Sequence, residues 1–153
     1  MNAAICALVV AAGCSYHAGS YADLRGPFPG TRVTVGCVDL AVGLGPESTV
    51  EAPVVAYGFG NHCRHAVMLD LATVRAVGHD AEDREHAMIA FDPNQELRPM
   101  PLDGMWSGRE QVEYGQARGL EAVPLVSLCV DIGGIDGTAE RIERWVCPLG
   151  GSR

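Results

Sequence analysis

Hydrophobic positions along this chain recur mostly with period two, in short runs separated by turn-forming residues. From Arg32 to Leu44, Val33 and Val35 are followed by Val38, Leu40 and Val42. The phase slips at Gly36–Cys37, which predicts either a β-bulge or a break between two short strands. Gly45–Pro46 closes that run as a turn. Val54 to Phe59 places Val55, Tyr57 and Phe59 on one face, and Gly60–Asn61 ends it. Ala66 to Val77 reads as a strand with Val67, Leu69 and Leu71 inward, then Val74 and Val77, and with Asp70 on the opposite, wet side. The acidic stretch Asp80, Glu82, Asp83, Glu85 reads as a solvated hairpin loop.

His86 to Phe91 gives a further strand with Ile89 and Phe91 in phase, and Asp92–Pro93–Asn94 is a turn. Leu97 to Gly104 contains Pro99 and Pro101, which excludes a central strand and predicts an extended connection. Arg109 to Tyr114 alternates through Val112, and Val123 to Ile132 alternates through Val126, Leu128 and Val130. Between Thr138 and Trp145 the pattern fits a helix capped by Asp136 or a terminal strand through Trp145 and Cys147. About seven short strands with almost no helical period predict an all-β fold, a β-sandwich. A chain of 153 residues is the size of one domain.

The first residues do not belong to that pattern. Met1 to Gly13 carries no charge and holds an apolar run from Ile5 to Ala12. A helix needs about 20 apolar residues to span a bilayer, so this run has the length of a signal-peptide core instead. Ala11, Ala12 and Gly13 lead into Cys14, and the run resembles the lipobox of bacterial lipoproteins. It departs from that pattern in having Ala11 where Leu is usual and no basic residue before the apolar run. The resemblance implies diacylation of Cys14 after cleavage, with Ser15 directing the protein to the outer membrane. The next stretch, SYHAGSYADLRGPFPG, is rich in Gly and Pro and suits a tether. The expected organisation is a signal peptide over 1–13, a flexible tether over 14–31 and a β-sandwich over 32–150.

Charge and cysteine usage narrow the setting. The formal charge is -8, from 11 basic and 19 acidic residues. Every basic residue is Arg, none of them clustered, so a phosphate backbone would be repelled and no nucleic-acid partner is expected. Removing Cys6 with the signal and Cys14 with the lipid leaves Cys37, Cys63, Cys129 and Cys147. Four cysteines in an exported domain predict two disulfides, and three connectivities are open. The sequential pairing, Cys37 with Cys63 and Cys129 with Cys147, is preferred here. No pair has the spacing of a zinc site.

Two longer stretches carry a resemblance for the folded part. VVAYGFGNHCRHAVMLDL, with a hydrophobic strand ending at Asn61, and FDPNQELRPMPLDGMWSGREQVEY are similar to segments of bacterial lipoproteins of unknown function with an immunoglobulin-like domain. The resemblance runs from about Val33 to Ile132. It implies an immunoglobulin-like sandwich and brings no catalytic residues.

Candidate chemistry is sparse. His62 and His65 flank Cys63 at a turn and would serve copper or zinc if Cys63 were reduced. Asp131 and Asp136 bracket glycines, faintly like a calcium loop, but the intervening positions lack oxygen ligands. Asp39, Asp70 and Asp92 lie on or beside strands, where folding can pair carboxylates for hydrolysis. The chain has neither the G-x-S-x-G nor the G-x-G-x-x-G motif. Trp106 is either a core plug or an exposed anchor for a partner. The sequence therefore predicts a cell-envelope lipoprotein without enzymatic activity or cofactor. It would bind the membrane through Cys14 and contact a protein or an envelope polymer. The alternatives are a periplasmic metal- or small-ligand-binding protein using His62 and His65, and an envelope hydrolase.

Overall fold

The computed structural model describes residues 16–19, 30–91, 97–116 and 122–150. Cys14, Ser15 and Asp92 lie outside them. The described chain is all-β, with ten strands. They are β1 (Thr31–Val35), β2 (Val38–Leu44), β3 (Val54–Asn61), β4 (Val67–Leu69), β5 (Arg75–His79), β6 (Glu85–Ala90), β7 (Met100–Leu102), β8 (Ser107–Gln116), β9 (Ser127–Asp131) and β10 (Trp145–Leu149).

Eight strands form one antiparallel sheet in the order β1-β2-β3-β8-β6-β5-β9-β10. The long strand β8 serves both halves. Its first part pairs with β3, from Gly60↔Ser107 to Val54↔Glu113. Its end pairs with β6, from Ala90↔Tyr114 to Met88↔Gln116. The halves fold over one another until β10 packs against β2, so the sheet is nearly closed, like a barrel. A separate two-stranded piece, β4 with β7, lies beside them.

Inward-facing residues alternate along the strands as period two requires. Val38, Leu40 and Val42 of β2 meet Val55, Tyr57 and Phe59 of β3, and Val112 and Tyr114 of β8. Leu128, Val130 and Ile132 fill the core from the other half. The hydroxyls of Tyr57 and Tyr114 bond each other at 2.8 Å inside this core. Burial raises the Tyr114 hydroxyl to about 12 and Tyr57 well above its ordinary value, so both stay neutral.

The strand count exceeds the expected seven for identifiable reasons. The phase slip at Gly36–Cys37 is a two-residue hairpin turn joining β1 to β2, with Gly36 at φ 55°. Only glycine adopts that backbone readily. The run from Ala66 to Val77 is not one strand. Asp70 accepts the Ala72 N–H at 3.1 Å and starts a 3-10 turn over Leu71–Thr73, which separates β4 from β5. Met100–Leu102 pairs with β4 despite Pro101, because β7 belongs to a two-stranded piece whose other edge needs no ladder. The segment after Thr138 contains no helix, and Trp145–Leu149 is the terminal strand.

The phase of β6 is opposite to the expected one. Pairing of Met88 with Ala76 turns Met88 inward, so Ile89 is 58% and Phe91 56% exposed. In the 14–31 segment, Tyr16 is fully buried, so residues 16–19 dock on the folded body rather than extending from it as a tether.

Candidate functional site

One end of the molecule gathers the β1–β2 turn, the loop after β3 and the connection into β8. The first contributes Cys37, the second His62 to His65, and the third Asp103 to Trp106. Asn61, fully buried at the end of β3, ties them together. Its Oδ1 accepts the Cys63 N–H at 2.9 Å. Its Nδ2 donates to the carbonyls of His65 at 2.8 Å, Leu102 at 3.0 Å and Asp103 at 3.2 Å. Backbone bonds continue the lacing: His62 N–H to Cys37 O at 3.0 Å, Met105 N–H to Cys63 O at 3.1 Å, and Asn61 N–H to Trp106 O at 2.8 Å. Gly104 packs so closely on the Arg64 carbonyl that any Cβ there would collide with it.

Cys37 and Cys63 form a disulfide across this end, with their Cα atoms 5.5 Å apart. Cys129 and Cys147 form a second between β9 and β10, where two residues of β10 oppose one of β9 in a bulge. Both bonds follow the sequential pairing.

The two histidines diverge. His62 turns toward the β1–β2 hairpin, with Nδ1 3.4 Å from Asp39 Oδ1 and no hydrogen-bond partner. His65 points to the disulfide, with Nε2 3.8 Å from Cys37 Sγ. They do not share a ligand position. Instead, Cys37, Cys63 and His65 bring their donor atoms within 4.8 Å of one another. The imidazoles diverge because a turn, unlike a helix, does not point residues three apart in one direction.

Asp39, on β2, is a buried carboxylate. Its Oδ2 accepts the Tyr16 hydroxyl and the Gly19 N–H, each at 2.7 Å, and its Oδ1 accepts the Thr34 hydroxyl at 2.7 Å. Burial raises its pKa, but those three hydrogen bonds and the nearby His62 outweigh it and hold the carboxyl below its usual range. Tyr16 lies over Gly60, the cross-strand partner of Asp39. An acid inside the apolar run VDLAVGL was the available signal for such a cluster, since buried carboxylates are bonded.

Four other aspartates are held by hydrogen bonds within the protein. Asp131 is fully buried and receives the N–H groups of Gly133 at 3.0 Å and Arg144 at 2.8 Å, with the guanidinium groups of Arg75 and Arg141 at 2.6 and 2.5 Å. Burial raises its pKa, and these donors more than reverse that, lowering it to about 2. Asp136 accepts from Cys37 N–H at 3.0 Å and from Thr138. Hydrogen-bond donors of the protein engage both carboxylates, an arrangement unlike a calcium loop. Asp70 caps its 3-10 turn. In the β5–β6 loop, His86, Arg84 and two backbone N–H groups surround Asp80 and hold its carboxyl well below the usual range.

Trp106 is 65% exposed, so it is not a core plug. It stands beside the disulfide on a loop whose Met105 takes a positive φ of 63°. At the β9–β10 edge, a cleft of about 560 Å³ is lined by His79, Asp83, Val126, Ser127, Trp145 and Cys147. There Ser127 Oγ lies 3.4 Å from His79 Nδ1, long for a hydroxyl–imidazole bond.

No family model matches the chain, and no curated protein matches it. Among solved structures it is similar to the crystal structure of the yjhA protein from Bacillus subtilis. The TM-score is 0.52 at 10% identity, over 76% of this chain and 95% of that one. That likeness concerns the fold.

Proposed function

We propose that this protein is a cell-envelope lipoprotein, anchored through an acylated Cys14, that acts as a non-catalytic binding module for another protein or an envelope polymer. In this reading its folded part is an immunoglobulin-like sandwich whose two sheets share β8. The observation that carries the binding role is Trp106. Trp106 is 65% exposed at the end of the molecule that the Cys37–Cys63 disulfide closes. Its loop is braced by Asn61 and the Cys37–Cys63 disulfide, so little conformational entropy would be lost when a partner docks. Tryptophans in such settings are typical anchors of interfaces.

The test uses a photo-crosslinking amino acid at position 106 in the native host, with the same probe at exposed Ile142 as control. A defined adduct formed from position 106 and absent from position 142 is the expected result. Equal or no labelling would remove the binding role. For an isolated partner, Trp106→Ala lowers affinity by 2 kcal/mol or more, about 30-fold, while stability changes by less than about 0.5 kcal/mol. The anchor is checked separately by intact mass: a chain beginning at an acylated Cys14 is expected, and an unmodified full-length chain would exclude it.

A further inference from the structure

The disulfide at the Trp106 end has a third donor beside it. Cys37 Sγ, Cys63 Sγ and a ring nitrogen of His65 lie within 4.8 Å of one another. While the disulfide is closed, neither sulfur is a thiolate, and the thiolate is the form that binds metal. The surrounding backbone is also held by hydrogen bonds that do not involve the sulfurs. Asp136 holds the Cys37 N–H, and the Cys37 carbonyl accepts from His62. Asn61 holds the Cys63 N–H with its Oδ1 and the His65 carbonyl with its Nδ2. Each donor residue is therefore held by a backbone hydrogen bond whose atoms take no part in the reduction.

We propose that reduction of Cys37–Cys63 creates a three-ligand site for Cu(I), made of two thiolates and the His65 imidazole. With a metal–thiolate bond of about 2.3 Å and a metal–imidazole bond of about 2.0–2.1 Å, a planar three-coordinate ion separates S and N by about 3.8 Å. Cys37 Sγ and His65 Nε2 already stand at 3.8 Å. The same geometry needs the two sulfurs about 4 Å apart, within reach of side-chain rotation at a Cα separation of 5.5 Å. Soft thiolates select Cu(I) and zinc. Zinc prefers four ligands, but around this corner Asp39, Asn61 and Asp136 are engaged by their own hydrogen bonds and His62 faces Asp39.

A dithiol reductant supplies the two electrons and two protons that convert the disulfide to two thiols, becoming a disulfide itself. Binding of Cu(I) then forms two Cu–S bonds and one Cu–N bond and releases both thiol protons. Uptake therefore strengthens as pH rises toward the thiol pKa. This site is independent of whatever Trp106 binds.

The experiment reduces the full chain with a dithiol under anaerobic conditions, removes the reductant, and titrates with Cu(I) held by the chromogenic chelator bicinchoninate. The reduced Cys6→Ser/Cys14→Ser/Cys129→Ser/Cys147→Ser variant, which keeps Cys37 and Cys63 as its cysteines, is expected to withdraw one equivalent of copper from the chelator, and its oxidised form to withdraw none. X-ray absorption of that four-serine variant is expected to show two sulfurs and one nitrogen on copper. In that background, His65→Ala, a change at an exposed side chain, weakens uptake at least tenfold, whereas His62→Ala leaves it unchanged. Equal affinity in His65→Ala, or full uptake by Cys37→Ser/Cys63→Ser, overturns the site. So does loss of the near-ultraviolet circular dichroism of the protein on reduction, since the site requires the folded scaffold.

Discussion

Asn61 closes more of the structure than any apolar residue near it. Its side chain satisfies one N–H and three carbonyls drawn from two loops, in a position with no access to water. Asn61→Ala leaves buried polar groups without partners, and a loss of about 2–4 kcal/mol is expected from the shift of the urea midpoint. Asp131 has a different signature. Its pKa falls from 3.8 to about 2 on folding, so the folded state favours the carboxylate. The stability it contributes is complete above pH 3.8 and is lost as pH falls through about 2. Denaturant midpoints measured across that range should fall with pH in the wild type and fall less steeply in Asp131→Asn. Asn61 was visible in the sequence only as a strand terminator. Asp131 was visible only as half of a faint calcium pattern, because the groups that bond it come from β5 and from the loop before β10.

Among the elements, strands with long alternating runs could be read directly. β3 and β8 lie where period two places them, and their inward residues are those that alternation selects. Short elements were decided by partners. β6 has one large apolar residue on each possible phase, and its pairing with Ala76 of β5 chose Met88 over Ile89. β7 exists because β4 offers it an edge. The disulfides act at this scale too, closing segments of 26 and 18 residues. Removing either, as Cys37→Ser/Cys63→Ser or Cys129→Ser/Cys147→Ser, is expected to cost about 3 kcal/mol in urea denaturation, on the chain-entropy model.

Over the whole molecule, the nearly closed sheet buries most large apolar side chains yet leaves both tryptophans near water. Trp106 is 65% exposed, and Trp145 is 42% exposed with the Arg75 guanidinium 5.7 Å from its ring centroid. Folded protein should therefore be readily quenched by acrylamide. Trp106→Phe should remove more of the quenchable emission than Trp145→Phe, because Arg75 covers one face of Trp145. If the two variants behave alike, the Trp106 loop is covered in solution. No helix among the described residues is long and apolar enough to cross a membrane. In the proposed reading, attachment to the envelope is through Cys14.

Local chemistry alone determined the all-β class, the positions of the main strands and the paucity of local catalytic motifs, because alternation and turn residues act over a few neighbours. Sequence reasoning also reached the sequential cysteine pairing as a preference, one of three that spacing allowed. Tertiary structure decided the rest. It closed the sheet through β8, buried Asp39 beneath Tyr16, exposed Trp106, and turned His65 rather than His62 toward the disulfide. Each of these depends on groups brought together from distant parts of the chain, and the direction a side chain takes from a turn is set by the partners it meets.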